Sequence, residues 1–260
     1  MILQHSTWPA VEAYLKQSTG IIVPMGSTEQ HGPTGLIGTD SITAQAVARA
    51  IGERCDALVG PTLSLGPAQF NLGFPGTVSL RPTTLTRVII DYVQSLASQG
   101  FRHFYFVNGH GGNLAPAQCA FQEMFAERSL RRGELPATVF RLRSWWDYPE
   151  VNAMRQRLYG AGEGMHATPS ELAITRALLP DVCPPDELPA PTVLGADFMK
   201  RHGGDNHDDA LAHRSRFPDG RVGSHSCLGL AEHGVDLVAL AAQAGAHDYA
   251  AFLAGEEEGA

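Results

Sequence analysis

Short runs of apolar residues alternate with segments of helical periodicity along the first two-thirds of this chain. Residues 20–25 read GIIVPM and residues 103–107 read HFYFV. Runs this short and this apolar are typical of strands that are buried on both faces. Between them, apolar residues recur every three or four positions, as in helices that pack one face against a sheet. The order favours an α/β fold with a mostly parallel sheet and helices on both faces.

Four strands and four helices are predicted from this pattern. The strands are expected over residues 20–25, 57–59, 103–107 and 138–142. The helices are expected over residues 42–51, 85–100, 115–128 and 235–253. A chain of 260 residues, 43% of them hydrophobic, can fill one sizeable core. Because no repeat or linker divides the chain, we interpret residues 1–260 as a single domain.

The charge balance limits the classes of partner. The chain has 27 Asp and Glu against 19 Lys and Arg, a net charge of −8, and no basic run. This counts against nucleic acid and against an anionic membrane surface. No stretch reaches the roughly 18 apolar residues of a membrane span, and the N-terminus lacks the pattern of a signal peptide. The four cysteines are too widely spaced for a zinc motif or a disulfide framework, so we expect a cytoplasmic protein with reduced thiols. Cys119, inside a predicted helix, is expected to be buried.

Polar functional groups concentrate in three segments that are rich in glycine or proline. The first segment, GSTEQHGP at residues 26–33, begins where the first predicted strand ends. Open parallel sheets place their ligand crevices at such strand ends. Glu29 and His31 are candidate metal ligands there, although a solvated loop would also explain them. Asp40, at the start of a predicted helix, is a third candidate ligand or a simple N-cap.

The second and third segments add two histidines and one carboxylate. NGHGGN at residues 108–113 follows the clearest predicted strand, and it places His110 where a metal could bind. A phosphate-binding glycine loop is the alternative, but neither GxGxxG nor a P-loop lysine is present. In MHATPSE at residues 165–171, Thr168, Pro169 and Glu171 form the pattern of a helix capping box. Helix capping alone could therefore explain Glu171, whereas it does not explain His166.

The first two segments should meet in space, because the carboxyl ends of parallel strands lie at one edge of a sheet. That edge would then carry two carboxylates and two imidazoles. Mixed oxygen and nitrogen ligands suit Zn, Mn or Fe better than Ca. A shared carboxylate is also what a two-metal hydrolytic site requires. The sequence therefore predicts a metal-dependent hydrolase.

The same motifs resemble the creatininase (creatinine amidohydrolase) family, from about residue 21 to residue 178. The sequence FPGT at residues 74–77 and the Arg-Pro pair at 81–82 belong to the resemblance. It implies a three-layer αβα sandwich with a mostly parallel central sheet and a homo-oligomer, commonly a hexamer. It also implies a binuclear site in which a metal-activated hydroxide cleaves a C–N amide bond. Two divalent ions are expected as cofactors, with zinc favoured and manganese or iron as alternatives.

The resemblance also implies roles for individual residues. Glu29, Asp40 and His110 would hold one ion. His31 and Asp40 would hold the other, so Asp40 would bridge the two. His166 would steady or protonate the reacting amide, and Glu171 would be a proton shuttle or a supplementary metal contact.

Three departures from the family pattern argue against creatinine as the substrate. Gly111-Gly112 stand where creatinine-hydrolysing members carry Tyr-Glu, whose glutamate binds the second metal. Gly162-Glu163 replace Trp-Asp, and Asn71 replaces a histidine. The chain is thus more similar to members that act on other amides, such as formamidopyrimidine deformylases and the mycofactocin precursor peptidase. We expect a formamide, cyclic amide or peptide-like small molecule as the substrate.

Two alternatives to an amide hydrolase stay open. The same ligands could support a metal-dependent lyase or isomerase on a sugar-like substrate. The chain could also be a non-enzymatic, nucleotide-binding module with a glycine-rich loop.

Several other groups have more than one interpretation. Trp145-Trp146 could be a lid over the site or part of the core. The His/Asp-rich stretch at 201–213 is interpreted as a solvated or interfacial loop rather than a second metal cluster. The residues of that stretch to which this interpretation applies are His202, Asp205, His207, Asp208 and His213. Residues 255–258, with the sequence GEEE, are assigned to a frayed acidic tail.

Overall fold

A parallel sheet lies at the centre of the molecule. The computed structural model describes residues 1–207 and 209–256, and Asp208, Glu257 and Glu258 lie outside this range. In the described part of the chain the sheet has three strands in the order β1-β2-β3, all parallel. Their bounds are β1 Gly20–Met25, β2 His103–Asn108 and β3 Val139–Ser144. Three of the four predicted strands are thereby confirmed.

The predicted strand at 57–59 is reduced to an edge contact. The backbone N–H of Ile22 donates to the Leu58 oxygen at 2.9 Å, and the N–H of Gly60 donates to the Ile22 oxygen at 2.8 Å. Val59 makes isolated parallel bridges to β1 and to the N-terminal residue Ile2. The segment is short because Asp56, in the left-handed conformation, precedes it and Pro61 follows it.

The helices follow the predicted order, and most of them extend a few residues past the predicted bounds. Pro82, Pro149 and Pro169 each occupy an early helical position, where the missing N–H has no cost. The α-helices are α1 Trp8–Leu15, α2 Thr39–Cys55, α3 Pro82–Ala97, α4 Leu114–Leu130, α5 Pro149–Tyr159, α6 Pro169–Leu178, α7 Ala196–Arg201, α8 Ala210–Arg216 and α9 Ala231–Ala254.

The sheet separates two hydrophobic cores. In β1, Ile22 faces the core shared with α2, α5, α6 and α9, whereas Ile21 and Val23 face the core shared with α3 and α4. On β2, Tyr105 faces the same core as Ile22, and Phe106 faces the same core as Ile21 and Val23. This alternation follows from the two-residue period of a strand. The predicted three-layer αβα sandwich is therefore confirmed.

Cys119 is a correction to the sequence-based prediction. Its side chain is exposed, although it lies within α4. The buried stripe of α4 runs through Ala117, Ala120, Phe121 and Met124, and position 119 points away from it. Membership of a helix does not decide burial, because only one stripe of a surface helix faces the core.

None of the helices within residues 1–207 and 209–256 has the length and apolar character that a membrane crossing requires.

Helix α9 fixes the position of α6, which carries Glu171. The two helices pack together, and α9 also packs against α2. A Cβ atom on Gly234 of α9 would overlap the backbone oxygen of Ala173 in α6. The close approach of the two helices therefore requires glycine at position 234.

We predict that Gly234→Ala destabilises the protein, although alanine is the better helix former. Overpacking a rigid backbone contact costs about 1–3 kcal/mol, and we expect a fall of several degrees in the thermal midpoint. Val235→Ala, at the neighbouring exposed position of α9, is the matched control and should change the midpoint little. A Gly234→Ala protein as stable as the wild type would contradict this account of the packing.

Candidate metal centre

The four predicted metal ligands meet at one edge of the sheet. Glu29 and His31 lie in the loop after β1, and His110 follows β2. Asp40 is the second residue of α2, in its first turn, and the N-cap position is held by Gly38 instead. All four side chains are buried, and none of the four residues is more than 3% exposed.

Asp40 lies between the two histidines. Its Oδ1 is 2.8 Å from Nε2 of His31, and its Oδ2 is 3.2 Å from Nδ1 of His110. Glu29 Oε1 is 3.4 Å from the same His110 nitrogen. Each Asp40 oxygen therefore faces a different imidazole, which is the arrangement that a bridging carboxylate would have.

The donor atoms of the centre fit metal ions. Three groups have ligand atoms within 4.8 Å of one another: Glu29, Asp40 and His110; His31, Asp40 and Glu171; and Glu29, His31 and His166. Within the described residues, Glu29 Oε1, Asp40 Oδ2 and His31 Nε2 are buried without an aligned hydrogen bond. Leaving such atoms unpaired is costly, and a bound cation would satisfy them.

Electrostatics support the same interpretation. Burial raises the pKa of Glu29 to about 8. Burial also disfavours a charged His31, but the Asp40 carboxylate outweighs this and raises the His31 pKa to about 10. Although burial acts to raise the pKa of Asp40, the adjacent His31 holds it well below its usual range. Without metal, protons on His31 and His110, whose pKa values are both raised, balance part of the carboxylate charge, and a cation would take their place.

His166 enters this cluster from the turn before α6. Its Nε2 lies 2.7 Å from the backbone oxygen of Gln30, and its Nδ1 lies 3.5 Å from Glu29 Oε1. A carbonyl oxygen only accepts, so this contact, shorter than the 3.3 Å contact of the same nitrogen with Asn71 Nδ2, places the hydrogen on Nε2 and directs Nδ1 at the centre. Burial and the nearby positive His31 hold the pKa of His166 well below its usual value.

Glu171 serves both as a helix cap and as a neighbour of the centre. Its Oε2 accepts the backbone N–H of Thr168 at 2.8 Å, which confirms the predicted capping box. The carboxylate is also within 4.8 Å of ligand atoms of His31 and Asp40. Burial raises its pKa to about 7. The capping explanation and a functional role are therefore compatible.

Asp205 is a residue of the centre that sequence reasoning missed. Its side chain is only 13% exposed, and its Oδ2 lies 3.4 Å from Nδ1 of His110. The same oxygen accepts the backbone N–H of Gly112 at 2.7 Å. The prediction of a solvated loop is therefore wrong for Asp205. The sequence signal that could have indicated Asp205 was the Gly111-Gly112 pair, because two residues without side chains leave room for another group beside His110.

Of the remaining histidines of the 201–213 stretch, His202 and His207 are half-buried and His213 is buried. The rings of His202 and His207 stack with centroids 5.0 Å apart, and His207 packs against Phe70 at 4.6 Å. His213 is buried in α8 and contacts the same phenyl ring. They form an aromatic cluster beside the centre.

A cavity of about 260 Å³ opens onto the centre. Trp145, Trp146, Arg155 and His202 are among the residues that line it. Trp145 is fully buried in the core shared with α9, so for this residue the core interpretation holds rather than the lid. Arg155 is paired with Glu163 at 2.8 Å. The cavity is large enough for a small molecule or for the end of a peptide.

Fold and site together define the chain as an αβα protein with a buried histidine–carboxylate centre at the strand ends. The sequence profile of the family described as "Creatininase: Creatinine amidohydrolase" matches residues 4–247. The chain therefore belongs to the creatininase family.

Two relatives illustrate the range of the family. The chain is 31% identical over 192 residues to creatinine amidohydrolase from Pseudomonas putida, covering 70% of this chain and 73% of the relative. It is 42% identical over 100 residues to the mycofactocin precursor peptide peptidase of Mycolicibacterium smegmatis. That match covers 36% of this chain and 40% of the peptidase. Both names describe hydrolases of amide or peptide bonds, in agreement with the predicted class of enzyme.

The solved structures agree with the fold. A crystal structure of creatinine amidohydrolase superposes with a TM-score of 0.80 and 26% identity, covering 97% of each chain. Further creatininase structures are described as a Mn form and as a Zn–Zn form of a mutant.

We predict that His166 carries its hydrogen on Nε2 in the metal-free protein, because that nitrogen lies against the Gln30 carbonyl. The measurement is ¹⁵N NMR of histidine-labelled protein, with the His166→Gln variant identifying the signals. A hydrogen on Nδ1 would contradict the orientation described above.

Proposed function

We propose that this protein is a metal-dependent amidohydrolase that cleaves a C–N amide bond other than that of creatinine. The observation that carries the proposal is the buried Asp40 carboxylate, with one oxygen toward His31 and the other toward His110. A hydrolytic two-metal site needs a carboxylate that two ions can share.

Two divalent ions are the proposed cofactors, with zinc favoured and manganese or iron as alternatives. Glu29, Asp40 and His110 would hold one ion, and His31 with Asp40 would hold the other. When bound, such ions lower the pKa of water toward about 7 and polarise a carbonyl group. The mixed oxygen and nitrogen donors suit these metals, and the Mn and Zn–Zn forms of related creatininases are consistent with the assignment.

His166 and Glu171 are the proposed catalytic residues. With Nε2–H committed to Gln30, His166 can act only through Nδ1, as an acceptor for the amide N–H or, once protonated, as a donor to the leaving nitrogen. Glu171 is anchored through Oε2 by the Thr168 backbone N–H, so its other oxygen is available to take and return a proton. The surrounding buried side chains keep bulk water away from both groups.

The glycine pair argues against creatinine as the substrate. A Cβ on Gly112 would lie 2.5 Å from the Pro67 backbone oxygen and 2.6 Å from Nε2 of His110. A glutamate at position 112 therefore does not fit this backbone. A formamide, a cyclic amide or a peptide-like small molecule is the proposed substrate class, in line with the similarity to the mycobacterial peptidase.

Assembly is proposed from the family, and location from the widely spaced cysteines and the N-terminal sequence. We expect a homo-oligomer, with a hexamer as the first candidate, in the cytoplasm. Light scattering of the purified protein would measure the oligomeric state directly.

We predict that the purified protein contains two divalent ions per chain and that Asp40→Ala loses both ions together with turnover. Removing the shared carboxylate takes a ligand from each ion, so the loss should be at least about 10²-fold in activity. Elemental analysis and an amidase assay are the measurements, and Asp91→Ala on the exposed face of α3 is the control. Full activity in a metal-free Asp40→Ala protein would refute the assignment.

The reaction class can be tested separately. We predict that turnover on one member of a panel of formamides, cyclic amides and short peptides places one oxygen from ¹⁸O-labelled water in the product. Mass spectrometry of the product measures this, and a lyase or isomerase would leave the label out. Tight nucleotide binding together with substoichiometric metal would instead favour the binding module.

A further inference from the structure

A fourth carboxylate reaches the centre from a distant part of the chain. Asp205 follows α7 and lies more than ninety residues after His110 in sequence. Its Oδ2 nevertheless lies 3.4 Å from His110 Nδ1. The family pattern discussed above assigns no role to this position.

Three carboxylate oxygens converge on one imidazole nitrogen. Asp40 Oδ2, Glu29 Oε1 and Asp205 Oδ2 lie 3.2, 3.4 and 3.4 Å from Nδ1 of His110. The other ring nitrogen, Nε2, is 2.7 Å from the Pro67 backbone oxygen and must therefore carry its own hydrogen.

A proton on Nδ1 cannot satisfy three acceptors. It could be donated well to only one of the three oxygens, which leaves the other two without this donor. Like charges held this close repel one another in a buried site. A divalent cation among the four atoms would satisfy all of them at once.

The glycine pair is fitted to Asp205. A Cβ on Gly111 would lie 2.6 Å from Asp205 Oδ2, so a side chain there would displace the carboxylate. The backbone N–H of Gly112 donates to the same oxygen at 2.7 Å and orients it. Metal-binding carboxylates are commonly held by such hydrogen bonds. The Gly111-Gly112 pair, which stands where creatinine-hydrolysing members carry Tyr-Glu, therefore provides both the space and a backbone N–H donor for the Asp205 carboxylate.

We propose that Asp205 is a further metal ligand, the fourth protein ligand of the ion held by Glu29, Asp40 and His110. This inference rests on the proposed function. Three carboxylates and one imidazole form a harder ligand set than two carboxylates and one imidazole, so Asp205 shifts the relative preference of this site from Zn²⁺ toward Mn²⁺ or Fe²⁺. Metal binding then also fixes the segment after α7, whose residues His202 and Gly204 line the cavity.

The test is the Mn²⁺ affinity of the full-length protein, measured by chelator competition and equilibrium dialysis. We predict that Asp205→Asn weakens one of two Mn²⁺ sites by about 10–100-fold and leaves the other unchanged. The preference of the weakened site should shift from Mn²⁺ toward Zn²⁺. Asp197→Asn, an exposed acidic residue of the neighbouring α7, is the matched control and should bind both ions as the wild type does.

A second variant separates ligation from the mere loss of an acidic residue. Gly111→Ala keeps every carboxylate but places a methyl group against Asp205 Oδ2, so we predict that it weakens the same site. Circular dichroism and thermal melts of the metal-free proteins check that both variants fold. Limited proteolysis gives a further readout, since Mn²⁺ should protect the segment after α7 in the wild type and not in Asp205→Asn.

The outcomes distinguish the two proposals. If the wild type binds two ions and Asp205→Asn binds both with unchanged affinity, the assignment of Asp205 is overturned while the proposed function stands. If the wild type binds no divalent ion, the proposed function fails, and the assignment of Asp205 fails with it.

Discussion

The centre depends on the close approach of the α2 N-terminus to the ends of β1 and β2. Asp40 lies in the first helical turn, where the helix dipole favours a negative charge. A Cβ on Gly26 would overlap the backbone of Asp40 and Ser41. A Cβ on Gly109 would overlap the backbone carbonyl oxygen of Asp40. Glycine at both strand ends therefore allows the α2 N-terminus to pack close enough to the sheet for Asp40 to contact both His31 and His110.

The backbone orients every histidine of the centre. Each ring has one nitrogen against a backbone carbonyl oxygen. His31 Nδ1 lies 3.1 Å from that of Glu29, and His110 Nε2 lies 2.7 Å from that of Pro67. His166 Nε2 lies 2.7 Å from that of Gln30. Each contact fixes the hydrogen on the outer ring nitrogen and turns the inner nitrogen toward the carboxylates. Main-chain atoms supply these three contacts, and the Asn71 side chain adds one more, with its Nδ2 3.3 Å from Nε2 of His166.

What the sequence could predict follows from topology. Residues placed just after parallel strands must share one edge of the sheet, so Glu29, His31, Asp40 and His110 could be brought together before the structure was known. Asp205 could not, because its loop has no strand or helix pattern that fixes where it returns. The strand at 57–59 was overestimated for a related reason, since a short apolar run does not show whether it has room to pair along its length.

The acidic composition of the chain has a structural consequence at the centre. Glu29, Asp40, Glu171 and Asp205 bring four carboxylates beside His31, His110 and His166, with little access to water. Burying so many acidic groups opposes folding unless positive charge accompanies them. In the metal-free protein, protons on His31 and His110 supply part of that charge, as the raised pKa values of both histidines indicate. Divalent ions would supply more charge in the same space, and any ligand that binds only the folded chain stabilises it. The buried carboxylate oxygens of this site, which no protein donor satisfies fully, therefore favour the binding of a cation.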